Sequence, residues 1–187
     1  MRSFTAFVLD KHKYSVKDTI LAYSGTKSPF IGEIVKIEGN PDDSQNTMVT
    51  LKWFYRPEEI HGGRRDYQGK DELLRSDHTD QIRVNSVSGP CKIVSFEAIG
   101  SSPRTLRRRR SSFTREFYDH KAEDIVSTTP LEKICVCQTP QSPNLQMIEC
   151  DACESWYHVK CVQVSQEDAE KKSFICPECQ RTGIKLL

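Results

Sequence analysis

The chain has 187 residues, 28% of them charged, with 27 Lys and Arg against 26 Asp and Glu. That length accommodates one medium domain and one small one, and no apolar run approaches the length of a membrane span. The opening MRSFTAFVLDKHKY lacks the long apolar core of a secretory signal, so none is expected.

Residues 1–14 read as an N-terminal extension. From Asp18 to about Ile99 the chain reads as short strands, the clearest being DTILAYS, FIGEIVKIE, MVTLKWFY and CKIVSFEAI. Between them lie SGTKSP, EGNPDDSQN and EEIHGGRRDYQGKD, rich in turn-forming Gly, Pro, Asn and Asp. No helix-period stretch of useful length interrupts them. The expected fold is therefore mainly β, a barrel-like or sandwich domain over residues 15–130. Cys91 falls in an apolar segment and reads as a small buried thiol on a strand.

WFYRPEE is the most distinctive stretch of this half. On a strand Trp53 and Tyr55 share one face, with Val49 and Leu51 behind them, and Phe54 takes the other. Periodicity alone makes this a core stripe. Arg56-Pro57 nevertheless ends the strand just after Tyr55, which leaves the aromatic pair at an open end where a pocket can form. Residues 100–112, GSSPRTLRRRRSS, form a basic loop; with Arg115, the arginines 104, 107, 108, 109 and 110 put six guanidinium groups within twelve residues. It reads as a solvated loop or as a phosphate-contacting or nuclear-import patch, with Arg107, Arg108, Arg109 and Arg110 positioned for nucleosomal DNA. His12, His61 and His120 stand in polar surroundings and read as solvated.

Seven of the eight cysteines are crowded between Cys135 and Cys179, which points to metal rather than disulfides in an intracellular chain. The order is Cys135-x-Cys137, twelve residues, Cys150-x2-Cys153, four residues, His158-x2-Cys161, fourteen residues, Cys176-x2-Cys179. Four close pairs of soft or borderline ligands suit two tetrahedral zinc ions with no open position, hence structural sites. A segment of about 50 residues buries too little core to fold alone, so the metal supplies much of its folding free energy. Between the last two pairs SQEDAEKKS reads as a short helix, with Ser165 and Asp168 placed like a capping box. The finger spans residues 131–182, ahead of a tail at 183–187. Seven thiolates against two divalent cations bring residues 131–187 to about −5, a charge that favours basic peptide over DNA.

The ligand order, with Trp156 two residues before His158, resembles the PHD finger. In that family the pairs interleave, which implies one zinc on Cys135, Cys137, His158 and Cys161 and another on Cys150, Cys153, Cys176 and Cys179. The alternative is a RING-like ubiquitin ligase adaptor, whose histidine usually stands fourth among the ligands and not fifth. WFYRPEE, followed by GGRR and LLRSDHTD, resembles the bromo-adjacent homology (BAH) domain. The two modules in this order are similar to the plant BAH–PHD histone readers of the short-life and early-bolting-in-short-days type, over roughly residues 15–180.

The resemblance implies a methyl-lysine cage at Phe30, Trp53 and Tyr55. Glu58, Glu59, Asp77 and His78 read either as groups that order the flanking basic peptide or as ordinary loop residues. The resemblance further implies that Trp156, with Met147 beside it, meets the histone tail, while the acidic Glu149 and Asp151 at the ligand knuckle suit contact with that basic peptide. Methyl-reading fingers commonly carry an aromatic residue just before the first cysteine, where this chain has Ile134, so methyl discrimination by the finger is expected to be weak. The expectation is a nuclear reader of methylated histone H3, the first module taking trimethyl-lysine (lysine-27 favoured) and the finger taking the H3 N-terminus near lysine-4. The sequence offers neither a nucleophile–base pair nor a phosphate loop, so an enzyme is not expected.

Overall fold

A computed structural model describes residues 2–40, 43–99, 112–126, 131–171 and 173–183. The chain divides into two compact units, one of residues 1–65 and 71–128, the other of residues 66–70 and 129–187. The arginines at 104 and 107–110 lie outside the described residues.

The larger unit is mainly β, as expected. In chain order its strands are β1 (Arg2–Phe4), β2 (Ala6–Leu9), β3 (His12–Ser15), β4 (Thr19–Ala22), β5 (Phe30–Asn40), β6 (Asp43–Tyr55), β7 (Glu72–Arg83), β8 (Val87–Cys91), β9 (Ile93–Ser95), β10 (Ser112–Asp119) and β11 (Asp124–Val126). Nine of them form one sheet in the order β11-β10-β7-β6-β5-β4-β8, with β1 on β5 and β9 on β10. Within the N-terminal extension, residues 2–14 are themselves structured. β1 pairs with β5, and β2 and β3 close a hairpin through Asp10 and Lys11, both at positive φ, which matches the twist of a two-residue turn.

FIGEIVKIE departs from strict strand alternation, because Ile34 and Ile37 are three apart yet share one core. A register shift between Ile34 and Lys36 resolves this by throwing Val35 outward and returning Ile37 to the face of Ile34. Both isoleucines then sit opposite fully buried partners on β6, Ile34 on Leu51 and Ile37 on Val49. Ile31 faces the other way and packs with Phe54 and Leu73 in a second cluster. CKIVSFEAI is not one strand. Cys91 ends β8, and after β9 the chain makes one helical turn, α1 (Phe96–Ile99), because the Ser95 hydroxyl caps it by accepting the Ala98 N–H at 3.2 Å.

β10 runs parallel to β7 and brings Arg115 onto Glu72. Nε and NH2 of Arg115 donate to the two carboxylate oxygens at 2.7 and 3.1 Å, and the guanidinium lies 4.6 Å from the centre of the Phe96 ring. The side chains are 3% and 0% exposed, so Arg115 does not belong to a solvated basic patch. Planar fork on planar carboxylate is the geometry in which a buried pair is best compensated.

In the smaller unit β12 (Lys133–Ile134) pairs with β13 (Thr139–Pro140), and β14 (Met147–Glu149) with β15 (Trp156–His158). Two short helices follow, α2 (Gln166–Lys171) and α3 (Pro177–Thr182). The expected cap on α2 is present: the Asp168 N–H donates to Ser165 Oγ at 3.0 Å. Pro177 opens α3, and Gly183, at φ 72°, closes it in the left-handed conformation that glycine adopts without cost.

Removing one partner of the buried pair leaves the other charge uncompensated. Arg115→Ala should therefore lower unfolding free energy by about 3–5 kcal/mol in denaturant melts. A loss below about 1 kcal/mol, the ordinary size for a surface pair, contradicts this.

Candidate functional site

The eight ligands expected from spacing fall into two groups, Cys135, Cys137, His158 and Cys161, and Cys150, Cys153, Cys176 and Cys179. Within each group the ligand atoms all lie within 4.8 Å of one another. Zinc–sulfur bonds near 2.3 Å give a tetrahedron with edges of about 3.8 Å. The Cys153 and Cys176 sulfurs stand 3.8 Å apart, and His158 Nδ1 lies 3.3 Å from Cys137 Sγ and 3.9 Å from Cys161 Sγ. Nδ1 is thus the nitrogen turned to the metal position, while Nε2 is buried without a hydrogen-bond partner.

Donors in the fold serve some of these sulfurs, while burial pushes the Cys161 and Cys179 thiols up. Backbone N–H groups of His158, Cys176 and Cys179 donate to the sulfurs of Cys135, Cys150 and Cys176 at 3.3, 3.2 and 3.4 Å. The Ser155 hydroxyl and backbone N–H hold the Cys153 thiol down at about 6. These donors fit two structural zinc ions and leave no ligand position open for chemistry.

The hairpin between the metal groups sets the finger's candidate peptide residues. Glu149 pairs with Trp156 and Met147 with His158 across β14 and β15. Met147 is buried, Glu149 exposed and Trp156 half-buried. One Asp151 oxygen accepts the Phe174 N–H at 2.7 Å, which commits that oxygen to the shape of the finger.

In the larger unit Phe30 opens β5, and Trp53 and Tyr55 lie at the end of β6. Phe30 and Trp53 meet edge-on, with centroids 5.9 Å apart, and Phe30 is 49% exposed. Trp53 packs partly against the main core, so it combines the stripe and pocket readings. It lies opposite Gly32, where a Cβ would come 3.2 Å from its Cε3, so glycine leaves the indole room to lie down over β5.

Tyr55 sits in a second ring cluster. Its neighbours are Tyr118 at 5.1 Å, His78 at 6.1 Å and His120 at 6.2 Å, and its hydroxyl is 2.6 Å from His78 Nδ1. A bulge builds this arrangement. Opposite Trp53, β6 advances from Lys52 to Phe54 while β7 covers Arg75 to Thr79. Ser76 stitches the gap, donating to the Trp53 carbonyl at 2.8 Å and accepting the His78 N–H at 3.2 Å. Asp77 and His78 are thereby turned toward β10, where Asp77 accepts the His120 N–H at 2.9 Å and the two imidazoles stack at 4.0 Å. That backbone bond holds the Asp77 carboxyl below its ordinary range. Burial, then the nearby Tyr118, Glu59 and Asp77, push the Tyr55 hydroxyl up.

His120 is exposed, as its polar neighbourhood implied, but it is stacked and not merely solvated. Nothing in the sequence ties it or Tyr118 to Tyr55, because the pairing of β10 with β7 is what joins them. Glu58 is ion-paired with Arg64 at 2.5 Å.

A BAH domain family model matches residues 12–129, and a PHD-finger model matches residues 135–179. The chain is 33% identical over 158 residues to the chromatin remodeling protein EBS of Arabidopsis thaliana, and 30% identical over 160 residues to the chromatin remodeling protein SHL of the same plant. Each match covers 82% of this chain but only 64% and 66% of those relatives' lengths, respectively. Among solved structures, the BAH domain of yeast Rsc2 superposes with a TM-score of 0.51 at 16% identity, covering 67% of this chain and 54% of that one, a likeness of fold.

The two ligand groups predict two zinc ions per chain by elemental analysis. A chelator should release hydrogen-exchange protection across residues 135–179 while amides of the Ile34 and Leu51 core stay protected. One zinc per chain, or simultaneous loss of both regions, contradicts this.

Proposed function

The chain belongs to the BAH-domain family, in the form that carries a PHD finger, and on that premise we propose that this chromatin-associated reader recognises methylated lysine on the histone H3 tail from within the nucleus. The larger unit takes the trimethylated side chain, with lysine-27 the favoured mark. The finger takes the H3 N-terminus near lysine-4, where Met147, Glu149, Asp151 and Trp156 are its contacts.

The observation that carries this reading is the edge-on pair of Phe30 and Trp53 at an open strand end, with Phe30 half exposed and Tyr55 the next residue on the same face. A quaternary ammonium keeps its charge but has lost its N–H donors and much of its hydration. Ring faces attract it by roughly 0.5–2 kcal/mol per contact, and an unmethylated ammonium must surrender more water to enter the same place. Asp77 and His78, held beside Tyr55 by the bulge, flank the pocket with hydrogen-bonding groups for the peptide on either side. In the finger Ile134 supplies contact area but no ring quadrupole, so discrimination at lysine-4 is weak.

Phe30 is the cleaner test residue, because Trp53 also packs on the core. Phe30→Ala should leave the melting temperature nearly unchanged and reduce the preference for a trimethylated lysine-27 peptide over the unmodified one by about 2- to 30-fold. Calorimetry with both peptides reads it, and an undiminished preference removes Phe30 from the pocket.

The finger yields a second expectation. Ile134→Tyr should raise its preference for trimethylated over unmodified lysine-4 peptide by about 2-fold or more, the value of one added ring contact. A strong wild-type preference that the substitution does not change means that the wall lies elsewhere.

A further inference from the structure

Arg56 follows Tyr55 directly and sends its side chain across to the segment that enters β5. Its NH2 donates to the Pro29 carbonyl at 2.8 Å, one residue before Phe30. Its NH1 donates to Glu59 Oε1 at 2.8 Å, and Glu59 Oε2 accepts the Arg56 backbone N–H at 2.7 Å. Glu59 thus fixes Arg56 at both ends, and the arginine side chain is only 22% exposed.

The pairing of β5 with β6 explains what this contact replaces. The ladder's last pair at this end is Ile31 with Phe54. Two further steps would set Phe30 opposite Tyr55 and then Pro29 opposite Arg56, but Pro57 has no N–H and turns the chain into a short 3-10 turn. The guanidinium therefore continues by side chain a connection that the backbone has abandoned. It does so at the residue next to the half-exposed Phe30, whose ring is not fixed by burial.

We propose that Arg56 is a positioning residue for the aromatic pocket: by tying Pro29 to the end of β6, it sets Phe30 at the distance from Trp53 and Tyr55 that a quaternary ammonium requires. This rests on the methyl-lysine reading above. The planar fork matters, since it holds two acceptors in fixed relative directions where a lysine ammonium offers a single point. Simple electrostatics argues the opposite sign. Removing a cation beside a site for a cation should tighten binding, so weaker trimethyl-lysine binding on neutralising Arg56 isolates the positioning role.

The test uses the full chain with trimethylated and unmodified lysine-27 peptides, comparing wild type, Arg56→Met and Arg56→Lys, with thermal melts alongside. Arg56→Met should lower the trimethyl-to-unmodified affinity ratio at least about threefold, as expected when a ring contact is lost. Arg56→Lys, which keeps the charge and the fold, should fall between it and wild type. A lower melting temperature with an unchanged ratio in both variants makes Arg56 merely structural and overturns the proposal. A wild type without any trimethyl preference fails differently, because it removes the methyl-lysine reading itself and this role with it.

Discussion

Strand β6 buries both of its faces. Val49 and Leu51 are fully enclosed in the main core, and Phe54 belongs to a separate cluster with Ile31 and Leu73. A slip of one residue would exchange the two sets, so the register against β5 is fixed by burial on both sides at once. The positions of Trp53 and Tyr55 follow from that register, as does the placing of Gly32 under the indole. On the other edge the same rigidity forces β7 to absorb its extra residues in a bulge, and the bulge presents Asp77 and His78 beside Tyr55. The placing of these rings is in this sense a consequence of how one strand is packed.

The finger solves a different problem. Besides the cluster of Cys150, Cys176 and Cys179 it buries few apolar side chains, among them Met147, Ile148 and Val159, too small a core to offset the entropy of ordering the chain. Ligand bonds take the place of apolar burial, which is why every close pair sits on a turn, a strand end or a helix start that aims its side chains inward. Cys176, for example, is both a ligand and the N-terminal cap of α3.

The zinc ligands were fully legible in the sequence, because metal geometry imposes spacing and the spacing survives in one dimension. The interior strands of the sheet were legible for a similar reason, since apolar alternation records which face is buried. β7 escaped notice because LLRSDHTDQIR turns polar after its first residues, where the bulge displaces them. The helical turn inside CKIVSFEAI was available in principle through Ser95, a capping residue just before an acidic first turn. Arg115 was misjudged from its company. Its composition placed it with an arginine run, whereas its partner Glu72 is 43 residues away and was brought to it by parallel pairing. Phe30 entered the candidate pocket only through family resemblance. Its partner Trp53 is joined to it by strand register, while Tyr118 and His120, which no local pattern marks, complete the surroundings of Tyr55.

The central claim is that rings at 30, 53 and 55 attract a positive charge that has lost its hydrogen-bond donors. The most direct measurement titrates the full chain with a trimethyl-lysine peptide and with the same peptide carrying the neutral isostere, in which carbon replaces the quaternary nitrogen. The two groups have nearly the same shape and apolar area, so only the charge differs. Attraction by ring faces predicts that the charged peptide binds more tightly by at least about 2-fold. Equal affinity, or tighter binding of the neutral isostere, would contradict it and leave the pocket as an apolar slot.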